Sequence, residues 1–155
     1  MVMNFYTTTV SVERSMVAVE KSLVELGASE IHKVYDSEGR VAAMHFAAPV
    51  NGARVHFKMP TDVERVYECI KDNKKVPSRN RTREHAERVV WRNLHMWLKT
   101  LAVLVELGIY KPLDAFLPHL ITSMRRNDPI TLSDAVQNLP SDSFEMGLLI
   151  SPKNP

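Results

Sequence analysis

Residues 30–59, EIHKVYDSEGRVAAMHFAAPVNGARVHFKM, decide the fold. Two turn signals punctuate the stretch, Glu38-Gly39 and Asn51-Gly52. Asn-Gly is the stronger, because a type I′ hairpin turn needs positive φ at both central positions and these two residues tolerate it. A two-residue loop at 51–52 sets Ala48 opposite Val55, Phe46 opposite Phe57 and Met44 opposite Met59. All six side chains are apolar and fall on one face. A two-residue loop at 38–39 sets Ile31 opposite Phe46 and His32 opposite His45. A one-residue slip would turn every side chain over, so two turns that agree on one apolar face specify the register. The stretch reads as a three-stranded antiparallel meander. Its other face carries His32, His45, His56, Arg54 and Lys58.

Upstream, Phe5 to Val10 is rich in Thr, Val and aromatics and reads as a strand. Ser11 can cap a helix in which Val12, Met16, Val19, Leu23 and Leu26 recur every three or four residues, and Gly27 can end it. Downstream, Pro60-Thr61-Asp62 closes the sheet and opens a second helix with Val63, Val66, Tyr67 and Ile70 inward. The run KDNKKVPSRNRTR at 71–83 has no apolar period and reads as an exposed loop. Thr82 then caps the longest helix, 83–107, ahead of Gly108. Ala86, Val90, Leu94, Trp97, Leu101 and Leu104 share its inner face, with Arg88, Arg92, His95 and Lys99 opposite. From 94 to 107 the helix is apolar nearly all round, which suits either the core or a surface for homo-oligomer formation. Short helices are expected at 112–120 and from Thr131 or Ser133 to Asn138.

The order β-α-β-β-β-α followed by further helices predicts an α+β fold, with helices packed on one face of an antiparallel sheet. Residues 1–150 read as a single domain with an exposed basic loop at 71–83, and 151–155 as a flexible tail. The chain of 155 residues is 45% hydrophobic and 25% charged, which excludes collagen-like and wholly disordered chains. No apolar run reaches the ~18–20 residues of a membrane helix, and no signal-peptide pattern opens the chain. One cysteine, Cys69, excludes an internal disulfide framework. A cytoplasmic protein with no membrane partner is expected.

The net charge of +2 conceals an uneven distribution. From Lys71 to Arg92 there are eight Lys and Arg against three acids, +5 in 22 residues, so the other 133 sum to −3. Lys and Arg displace counterions from phosphates, and a helix N-terminus adds partial positive charge. The candidate nucleic-acid contacts are therefore Lys71, Lys74, Lys75, Arg79, Arg81, Arg83, Arg88, Arg92 and Lys99. Either a DNA or an RNA backbone would suit them. The alternative partner is a protein complex, to which the apolar 94–107 segment and eight methionines are suited. Trp91 flanks the basic stripe, and packing against a neighbouring helix is its favoured role over base stacking.

Other chemistry has less support. Three histidines on one sheet face are a weak metal pattern, because neighbouring strands need converging rotamers to share one ion. Asp36, Glu38 and Glu64 could be assembled into a carboxylate site, but nothing in their spacing demands it. The nucleophile-elbow, zincin, P-loop and dinucleotide motifs are all missing from the 155 residues. The reading is non-catalytic, with no catalytic residues, metal or cofactor assigned.

The MNFYTTT opening at 3–9, WRNLHMWLKTLAVLVELG at 91–108 and FLPHL at 116–120 together resemble a family of small phage and prophage proteins. The resemblance spans residues 3–120 and implies a viral role in the host cytoplasm, as an accessory of DNA replication or recombination or as an inhibitor of host machinery. It brings no catalytic residues to carry over.

Overall fold

The computed structural model describes residues 5–125 and 128–139. Its elements are α1 (Val12–Glu25), β1 (Glu30–Tyr35), β2 (Val41–Val50), β3 (Ala53–Lys58), α2 (Val63–Ile70), α3 (Arg83–Glu106), β4 (Ile121–Arg125), β5 (Asp128–Thr131) and α4 (Leu132–Gln137). Short 3-10 turns lie at Ser78–Asn80 and Asp114–His119. The fold is α+β, as the pattern order predicted.

Strands β1, β2 and β3 pair antiparallel in that order. Ile31 faces Phe46, His32 faces His45, Phe46 faces Phe57 and Ala48 faces Val55. Asn51 and Gly52 take φ of 49° and 80°, as a type I′ turn requires. The other turn departs from expectation. Asp36 pairs with Arg40 through its N–H to the Arg40 carbonyl at 2.9 Å, so the loop is 37–39 and has three residues, not two. The cause is the Asp36 carboxylate, whose Oδ1 accepts from the amides of Glu38 and Arg40, each at 2.9 Å. The offset falls between the pairs Val34–Ala43 and Tyr35–Val41, and the rest of the register is undisturbed.

Helices α1 and α3 pack on each other, and their residues join the sheet's apolar face in one core. Phe46 stacks on Phe57 with centroids 4.9 Å apart, and Phe116 meets Phe46 edge-on at 4.9 Å. At the margin of this face Lys33 of β1 reaches Glu20 of α1 at 2.6 Å. Ser11 and Thr82 cap their helices as the sequence suggested, accepting from the amides of Arg14 and His85, and Asp62 caps α2 by accepting from Arg65. Gly27 ends the first helix at φ 101°.

Four expectations are corrected. Residues 5–10 form no strand. Thr8 N–H bonds the Phe5 carbonyl at 2.9 Å, and the Tyr6 carbonyl accepts from the buried His85 Nε2–H, so this backbone is committed to a turn and to α3. The helix expected at 112–120 is a 3-10 segment from Asp114, with Pro118 inside it. The β4–β5 hairpin follows where only helices were expected, and Leu120 bridges to Phe57 on the open edge of β3. Finally, Trp97, expected on the inner face, is only partly buried, whereas Trp91 is fully enclosed, in keeping with its expected packing role. Helix α3 is flanked by both α1 and α2, so its buried arc is wider than one stripe.

The 71–83 run is exposed but not structureless. Val76 is buried in a second apolar cluster with Ile70 and Ala86, and Arg81 Nε donates to the Val76 carbonyl at 2.9 Å. The tail at 151–155 lies outside the described residues.

Candidate functional site

The nine basic candidates separate by what each already holds. Lys71 is paired with Glu68 at 2.6 Å, Arg83 is paired with Glu64, and Arg81 is tied to the Val76 carbonyl. These three are structural contacts first. Lys74, Lys75, Arg79, Arg88, Arg92 and Lys99 make no ion pair with any described residue.

Helix α3 gathers Arg88, Arg92, His95 and Lys99 within an arc of about 60° at 100° per residue. Arg88 and Lys99 are exposed, and Arg92 and His95 are half-buried. Arg92 is held on two sides: its guanidinium lies 5.5 Å from the Phe5 ring centroid, and its Nη1 donates to His95 Nδ1 at 3.2 Å. That bond leaves the proton of neutral His95 on Nε2, where it can serve as a donor. Burial, and then the charges of Arg92 and Lys99, hold the His95 imidazole below its ordinary pKa. Sequence reasoning placed His95 on this face but did not count it among the contacts. Trp91, 0% exposed, cannot stack on a base, and Trp97 is turned to Phe116 and His119.

On the sheet's outer face, His32, His45 and His56 do project together, since His32 pairs with His45 and His56 with Ala47. Glu30 binds His32 at 3.2 Å and also Arg54, and the His32 bond contributes most to a lowered Glu30 pKa. His45 is held below its usual value by burial, with Lys58 beside it. Lys58 in turn reaches Asp128 of β5 at 3.2 Å. No group of three His, Cys, Asp or Glu suited to a metal occurs among the described residues.

A cleft of about 670 Å³ opens between the start of β2, the β3–α2 connection, the first turns of α3 and the β5–α4 segment. It brings Asp36 and Glu64 together, but Glu38 does not line it and binds Arg40 at 2.9 Å. Most of its charges are engaged: Asp36 with Arg40, Glu64 with Arg83, Asp128 with Lys58, Asp62 at an N-cap, and Asp134 in a capping box with Thr131. Glu87 is the exception among the cleft's carboxylates, and burial raises its pKa. His119, also at the wall, is lowered by burial. The cleft is not legible in the sequence because its walls come from five separated segments. The Thr131-to-Asp134 capping box was a readable signal for one of them.

No family model, curated protein or solved structure matches this chain. No helix among the described residues is long and apolar enough to cross a membrane.

Proposed function

We propose that the protein is a non-catalytic accessory that binds nucleic acid through the outer face of α3 and the preceding 71–83 segment, in phage-type DNA replication or recombination. The observation that carries this reading is the Arg88–Arg92–His95–Lys99 stripe, a row of basic groups with no carboxylate partner among the described residues. Unpaired cations on a stable helix gain most from phosphates, because no internal ion pair must be broken first. Lys74, Lys75 and Arg79 precede the helix in the chain and are exposed, with no ion pair to any described residue. Such contacts position a backbone and read little sequence.

The test is fluorescence anisotropy with a labelled mixed-sequence duplex at about 50 mM salt, a range where phosphate contacts are strong. Binding is expected, and Arg88→Glu with Arg92→Glu should weaken it at least tenfold with an unchanged circular dichroism spectrum. No binding at low salt would reject the reading.

A second reading, a protein-interaction module, draws on Leu107 and Ile109, which are 66% and 64% exposed beside Val103 and Tyr110 at the end of α3. A stoichiometric protein partner that survives nuclease treatment would favour it.

A further inference from the structure

Resting on that reading, we infer that the nucleic acid bound is a double helix, gripped by its phosphodiester backbone, and not a single strand with stacked bases. Three observations carry this.

The first is the occupancy of nearby aromatic rings. Proteins that hold single strands generally offer ring faces on which successive bases stack. Among the described residues, the Trp and Phe rings nearest the α3 stripe are already in use. Trp91 is wholly buried, Phe5 lies against the Arg92 guanidinium, and Trp97 packs on Phe116 at 5.7 Å. The bases of a single strand lying here would meet only Arg, Lys and His.

The second is shape. Single strands are usually held in a groove that tracks their backbone. The stripe is the outward arc of a helix flanked by α1 and α2, with Arg88 and Lys99 exposed at its two ends, and none of its residues lines the cleft described above. The same flanking helices keep α3 from sinking into a major groove, so its side chains meet the phosphates at the groove's edge.

The third is charge density over a fixed length. Arg88 to Lys99 covers about 16 Å of α3 at 1.5 Å per residue. A duplex offers one phosphate per ~1.7 Å of axis, so about ten lie along that length, against about five on a single strand. The row cannot bend to follow a flexible strand, since Arg92 is fixed by Phe5 and His95. A row held straight in this way suits a stiff rod.

The experiment uses the full chain and three probes of equal length and mixed sequence: duplex DNA, duplex RNA and single-stranded DNA. Dissociation constants are compared at one salt concentration. Either duplex binding at least tenfold more tightly than the single strand supports the inference. Equal or tighter single-strand binding overturns it while leaving nucleic-acid binding intact. Failure to bind any of the three removes the reading beneath it as well.

Discussion

The cleft carries more charged groups than the outer face of α3 beside it, yet the two use them differently. In the cleft, Arg40, Arg83 and Lys58 each meet a carboxylate, and Asp62 and Asp134 cap helices. Those charges hold a turn, a helix start and a hairpin in place. On α3, Arg88 and Lys99 are exposed and meet no carboxylate among the described residues. The contrast teaches that charge count is a poor guide to function here. What separates a surface able to bind from one that supports the fold is whether the charges are already matched.

The contrast can be broken most forcefully by reversal. Replacing Arg88, Arg92 and Lys99 together with Glu should reduce duplex affinity by at least 100-fold, with a melting temperature within a few degrees of the parent. Anisotropy and thermal denaturation measure the two halves of that statement. Equal loss of binding from Arg40→Glu, in the cleft, would erase the distinction.

Asp36→Ala probes the cleft side. It removes the carboxylate that accepts from two amides and pairs with Arg40, and should lower the midpoint of unfolding while leaving affinity unchanged. Urea denaturation reads the first effect. Thr131→Ala breaks a capping box and should cost about 1 kcal/mol by the same assay.

The smallest expected effect concerns pH. A phosphate beside His95 favours the imidazolium that burial, Arg92 and Lys99 disfavour in the unbound protein. Binding should therefore take up a proton, and affinity should rise several-fold as pH falls through and below the ordinary His value of about 6.5. His95→Gln should flatten that profile. Stability should move the other way: His45, His95 and His119 all have lowered folded-state pKa values, so the unfolded chain binds more protons below about 6.5 and the fold weakens as pH drops.

Much of the sheet was legible because its pattern is local and doubly specified. Asn51-Gly52 and the alternation around Phe46 and Phe57 leave one register open. The turn at 37–39 is one residue longer than the alternation predicts because Asp36 organises it through its own side chain, which strand alternation does not reveal. Phe5 to Val10 has strand composition but no sheet partner; it is used by α3 instead. The β4–β5 hairpin is short, contains Pro129, and depends on the open edge of β3 through Leu120. Such dependence on a distant partner leaves no periodic trace. For the candidate interface, the sequence showed which residues were basic and which shared a helix face. It could not show that Lys71 and Arg83 are paired within the fold, or that Trp91 is enclosed.

The central claim, that the α3 stripe and Lys74, Lys75 and Arg79 before it meet phosphates because no described carboxylate pairs with them, is tested most directly by the salt dependence of duplex binding. About five phosphate contacts give a slope of log affinity against log salt near −4 to −5. That slope is the expected result, and it should flatten by about two to three when Arg88, Arg92 and Lys99 are neutralised to Gln. A slope shallower than about −1, or one that the three substitutions leave unchanged, would contradict the claim.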